Sequence, residues 1–115
     1  MSDQLGSLSG YGWAPRFLKH FVRERKLLTL QEGIRRLTSL PAERLKLKDR
    51  GVLQEGLHAD ITVFDPTQIT ETWTIQKPRS YPDGIQHVFV NGVVHVRNGV
   101  RTTQNKGMVL RGPLS

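Results

Sequence analysis

The chain has 115 residues, 37% hydrophobic and 23% charged, with six prolines and eleven glycines, which places it among ordinary globular sequences of one-domain size. It lacks cysteine, which excludes disulfides, thiolate metal sites and a cysteine nucleophile, and agrees with a reducing cytoplasm. The net charge is +7 and lopsided: residues 1–50 hold eleven Lys and Arg against five acids, residues 51–115 six against five.

The densest basic run, Arg23-Glu24-Arg25-Lys26, reads as a solvated helix face, because no aromatic stacking platform accompanies it. Nucleic acid is therefore not an expected partner, although a basic binding module is kept as an alternative class. No stretch approaches the roughly 20 apolar residues of a membrane span, and the N-terminus lacks signal-peptide order. No membrane association and a cytoplasmic location are the expectations.

Residues 5–13, LGSLSGYGW, are rich in Gly and Ser and read as a loop. Pro15 suits a helical first turn, and Phe17, Leu18, Phe21 and Val22 recur at helical spacing, so an amphipathic helix is expected over 15–26. His20 lies in it as a packing or surface residue. Thr29 and Glu32 make a capping box, in which the threonine oxygen accepts from a first-turn N–H and the glutamate reaches back to the cap's own N–H. A second helix should run from Leu30 to about Ser39, with Leu30, Ile34 and Leu37 as its apolar stripe. Gly33 costs that helix about 1 kcal/mol relative to Ala. Pro41 opens a short third helix near 41–46, with Ala42, Leu45 and Leu47 available to the core.

After Gly51 the hydrophobic period changes from about 3.6 to 2, the main internal boundary of the chain. It divides a helical segment, 1–50, from a strand-forming one, 51–115. Residues 59–64, ADITVF, read as a strand closed by Asp65-Pro66, and residues 73–75 as a short addition. HVFV, Asn91-Gly92 and VVHV form a two-residue type I′ hairpin. Pairing Val90 with Val93 puts Val88, Val90, Val93 and His95 on one face and His87, Phe89, Val94 and Val96 on the other. Both faces are largely apolar, so each needs cover from this chain or from a partner. Asn98-Gly99 is a second turn, and residues 107–111 read as a final strand. The expected fold class is α+β, N-terminal helices followed by a small antiparallel β-sheet.

Chemistry is sparse. The four histidines stand 38, 29 and 8 residues apart, so none makes a zinc-binding spacing. No phosphate loop, dinucleotide fingerprint or nucleophile elbow occurs. Asp60 and Asp65 flank a strand and read as turn formers that accept backbone N–H groups.

The order of segments nevertheless resembles one family. PRFLKHFVRE (15–24), LLTLQEGIRRLTSLPAERLKLKDRG (27–51), EGLHADITVFDP (55–66), YPDGIQHVFVNGVVHVRNG (81–99) and KGMVLRG (106–112) look like the C-terminal part of N-acyl-D-amino-acid deacylases, the D-aminoacylases of the amidohydrolase superfamily. The resemblance implies the last helix of a metal-holding barrel followed by the C-terminal strands of a small β-sandwich. It also implies a zinc-dependent hydrolysis of the amide bond of N-acyl-D-amino acids in the parent enzymes. Ser2-Asp3 falls where such enzymes carry an Asp at the end of the last barrel strand, a zinc ligand or the base for metal-bound water. Asp3 is thus the inherited catalytic candidate. The family's metal-binding histidines would lie before Met1, so this chain is expected to hold no cofactor and to be inactive alone. A complementary barrel fragment or further copies of the chain are the expected partners. A non-enzymatic module that reuses the fold as an oligomer is the alternative.

Overall fold

The computed structural model describes residues 12–77 and 80–111. The chain is α+β. Helix α1 (Trp13–Phe17) runs on as a π-helical segment (Leu18–Glu24), followed by α2 (Leu30–Leu37) and α3 (Ser39–Arg44). Strands β1 (Ile61–Phe64), β2 (Ile85–Val90), β3 (Val93–Arg97) and β4 (Val100–Arg101) then form one antiparallel sheet in the order β1-β2-β3-β4.

The first helix begins two residues before the expected start, with Pro15 in its first turn, where a missing N–H costs nothing. Its second half is wound wider than an α-helix, and the Arg25 N–H donates to the His20 carbonyl at 2.9 Å, five residues back. This segment packs on α2 at Gly33. A methyl added to Gly33 would lie 2.7 Å from Cγ2 of Val22 and 3.4 Å from Cδ2 of Leu18. The glycine that weakens α2 as an isolated helix is therefore what lets the two helices approach.

Thr29 caps α2 as expected, its hydroxyl oxygen accepting from the Glu32 N–H at 3.1 Å. The other half of the box is not made. Glu32 turns instead to the guanidinium groups of Arg35 (2.8 and 2.9 Å) and Arg36 (3.0 Å). Charge-assisted bonds to neighbours three and four residues on outcompete a neutral N–H. Hydrogen bonds from Arg35 and then Arg36 hold this carboxyl down to about 2.

The third helix starts at Ser39, two residues before Pro41, which occupies its first turn. Ala42 is buried, but Leu45 lies past the helix end and is 62% exposed, contrary to its expected place in the core. Residues 73–75 form no strand. The Thr74 N–H donates to the Lys77 carbonyl and the Thr74 hydroxyl accepts from the Lys77 N–H, a local turn that uses up the groups a ladder would need. A single bridge, Thr70 to Asp83, lies nearby.

The hairpin turn is as expected: Val90 pairs with Val93, and Asn91 (φ 49°) and Gly92 (φ 78°) take the left-handed conformations of a type I′ turn. The strict two-face alternation fails further out. Phe89 pairs with Val94 but Val88 with Val96, so His95 is the extra residue of a β-bulge and Val96 changes its place relative to β2. Asn98 (φ 50°) and Gly99 (φ 78°) make the second turn. Residues 107–111 belong to no strand, contrary to the expected last strand.

Helices and sheet meet over the connection between β1 and β2. Nη1 of Arg23 donates to the carbonyls of Pro66 (3.1 Å) and Ile69 (2.8 Å), and Lys19 pairs with Glu71 at 3.4 Å. Ile69, 3% exposed, is buried, as are Leu18 and Ala42, and these three are the buried hydrophobic residues among those described. Gly84 packs its backbone on Ile69: an added Cβ would stand 2.5 Å from the Ile69 nitrogen, at a φ of 87°. Gly84→Ala is therefore expected to destabilise the fold by about 2 kcal/mol or more, from overpacking against backbone plus left-handed strain. Gly92→Ala, which meets nothing within 4 Å, should cost only the strain, about 1 kcal/mol. Urea midpoints of the two variants compare them directly.

Candidate functional site

The inherited candidate, Asp3, lies outside the described residues. The other sequence candidates are placed, and they do not converge. Asp65 starts a turn after β1, its carboxylate accepting from the Thr67 N–H (2.8 Å) and hydroxyl (2.7 Å). The hydroxyl and then the N–H of Thr67 hold it below the usual carboxylate range.

Asp60 is occupied differently from a local turn former. One oxygen accepts the Asn91 N–H at 2.8 Å, thirty-one residues on, and the other takes Nη1 of Arg50. Burial pushes this carboxyl up, but the Asn91 N–H and the hydrogen bond and charge of Arg50 outweigh it, so the net shift is downward. Arg50 itself is only 8% exposed in its side chain and reaches Oδ1 of Asn91 (3.3 Å) and the sulfur of Met108 (3.6 Å). The segment joining helices to sheet is thereby tied to the hairpin turn.

Each histidine is engaged separately. His20 lies 3.4 Å from Glu24 and edge-on to Phe21; His58 pairs with Asp49 at 3.2 Å. His87 accepts the Asn98 N–H through Nδ1 (3.3 Å), and His95 accepts the Lys106 N–H through Nε2 (2.9 Å). Among the described residues no group of three His, Asp or Glu side chains could hold a metal ion. These donors do not fit a zinc centre by themselves.

One concave feature beside Asp60 is apolar. A cleft of about 640 Å³ opens between the helices and β1, with Pro15, Leu18, Ile34, Ile61, Phe64 and Ile85 in its walls. Val52 and Leu53 at its rim are exposed. Among the described residues, no helix is long and apolar enough to cross a membrane.

Arg50 was the residue the sequence left silent, since a lone arginine before a glycine carries no signal of a partner ten or forty-one positions away. The His20–Glu24 contact, by contrast, had a readable four-residue spacing.

Comparison with known proteins settles the class. Residues 3–96 match the model of the amidohydrolase family, and the chain belongs to that family. Over 87% of its length it is 40% identical to an N-acyl-D-aspartate deacylase from Alcaligenes xylosoxydans xylosoxydans. A D-aminoacylase from the same organism is 38% identical over an equal share. A D-aminoacylase variant solved with copper chloride superposes on 85% of the chain with a TM-score of 0.79 and 35% identity. The N-acyl-D-glutamate deacylase of Bordetella bronchiseptica, solved with zinc and a phosphonate inhibitor, superposes on 70% with a TM-score of 0.67 and 41% identity. The chain spans about a fifth of the length of these relatives: 20% and 21% of the two curated ones, 21% and 17% of the two structures.

The Asp60 junction has a definite pH consequence. A carboxyl whose native value is depressed stabilises the fold fully above its unfolded value, about 4, and this contribution is lost as pH falls toward the native value. Asp60→Asn should lower stability at pH 7 and flatten the acid limb of a stability profile measured by urea denaturation between pH 2 and pH 7.

Proposed function

We propose that this chain is the C-terminal portion of a metal-dependent amidohydrolase that hydrolyses the amide bond of N-acyl-D-amino acids, and that it is inactive without the rest of such an enzyme. The observation that carries the reading is the 40% identity to a D-amino-acid deacylase that runs through 87% of this chain yet spans 20% of the relative.

The remaining four-fifths would supply the metal ligands, because the described donors stand apart, each on a different partner. Asp3 is the carboxylate this chain would contribute to the reaction. The apolar cleft between the helices and β1 is where the rest of the polypeptide would pack, and two observations support this. The buried hydrophobic residues among those described are only Leu18, Ala42 and Ile69, and large apolar side chains such as Val52 and Leu53 stand open at the rim. A core this small is completed by burying those walls against a partner surface.

The test is complementation. The purified chain, given zinc and an N-acetyl-D-amino acid, should release no free amino acid above a metal-only control. Co-expression with the part of a D-aminoacylase that this chain does not match should restore turnover, and Asp3→Asn in the complex should lower it about a hundredfold or more. Turnover by the chain alone, or full activity of the Asp3→Asn complex, would overturn the proposal.

A further inference from the structure

The strap after β4, residues 103–111, is held at one peptide unit by two side chains of the hairpin. The N–H of Lys106 donates to Nε2 of His95 at 2.9 Å, and its carbonyl accepts from Nδ2 of Asn91 at 2.7 Å. Asn91 is itself fixed, its N–H on Asp60 and its side-chain oxygen on Arg50. The strap's one further side-chain tie to the hairpin junction, among the described residues, is the Met108 sulfur on Arg50. Residues 103–111 are exposed and pair with no strand.

The imidazole of His95 has no freedom of tautomer in this arrangement. Its Nδ1 lies 2.9 Å from the Val93 carbonyl oxygen, which can only accept, so Nδ1 carries the hydrogen. Nε2 must then be the bare lone pair that Lys106 uses. A second proton on the ring would set an N–H against the Lys106 N–H, two donors with no acceptor between them. The bond cannot survive that protonation. Histidine is the residue type that changes charge between about pH 5 and pH 8.

We propose that His95 is a proton-operated latch that holds the 103–111 strap on the β2–β3 turn when neutral and releases it when charged. The bulge puts this one residue out of register with β2, which sets its ring free to serve the strap. The sheet itself is insulated from the switch, because Thr102 is anchored to main-chain oxygens of Val94 and His95 and not to the ring.

The ionisable side chains on the adjoining elements are His87 on β2, Arg101 on β4, Lys106 and Arg111 on the strap and Arg97 on β3 itself. The described histidine–carboxylate pairs are those of His20 and His58, so no acid in ion-pair contact with His95 offsets the lost bond. A proton on Nε2 removes the acceptor that the Lys106 N–H uses, so the doubly protonated ring and the clamp exclude one another. Release frees a segment carrying Lys106, the exposed Met108, Val109 and Leu110, and Arg111.

Nuclear magnetic resonance on the full chain tests the latch without reference to its enzymatic role. Imidazole nitrogen shifts should place the neutral proton on Nδ1. As the ring takes its second proton, the exchange protection of the Lys106 amide should fall roughly fivefold to tenfold, the weight of one net hydrogen bond. The Gly92 and Thr102 amides, bonded to main-chain oxygens of Ala59 and His95, should keep theirs. In His95→Gln the Lys106 protection should lose its pH dependence. Lys106 protection that stays constant through the His95 titration, or a neutral ring protonated on Nε2, would overturn the proposal.

Discussion

The Asp60 carboxylate is the joint on which this chain turns. It receives an arginine from the segment that follows the helices and a main-chain N–H from the tip of the β2–β3 hairpin, and so fixes two parts of the chain that share little buried apolar surface. A carboxylate with both oxygens in charge-assisted or main-chain bonds is geometrically demanding. It also sets up what lies next to it, because the Asn91 side chain it steadies is the one that grips Lys106.

The second constraint is the shortage of core. Leu18, Ala42 and Ile69 are the hydrophobic side chains buried among those described, and none of the large described side chains is fully enclosed. Polar ties therefore carry an unusual share of the contact between helices and sheet: Arg23 on two carbonyls, Lys19 on Glu71, Arg50 on Asp60. Directional bonds of this kind fix orientation well but contribute less net stability than apolar burial does. These contacts leave the apolar cleft between the helices and β1 open, with Val52 and Leu53 exposed beside it.

The histidines of this chain serve local structure, one on the π segment, one against Asp49 and two on the hairpin. One relative of known structure, an N-acyl-D-glutamate deacylase, was solved with zinc and a phosphonate inhibitor, whereas the described part of this chain brings no three His, Asp or Glu side chains together. The amidohydrolase relationship thus rests on matching sequence and backbone over a fifth of the relatives.

Sequence alone determined what is local. Thr29 marks the start of α2, Pro15 and Pro41 the first turns of two helices, Asn91-Gly92 and Asn98-Gly99 the two turns, and the change of period the order of helices before strands. Each follows from the preferences of residues a few positions apart. The ordered segments were also enough to read the family. Tertiary structure decided the rest. The bulge at His95 is set by the facing strand β2 and the reach of Arg50 to Asp60 and Asn91 by groups ten and forty-one residues on, whereas at 73–75 a turn between Thr74 and Lys77 replaced the expected strand and 107–111 met no strand to pair with. Glu32 shows the boundary between the two: its spacing fitted a capping box, but the two arginines beside it offered stronger bonds, and only the folded geometry chose between them.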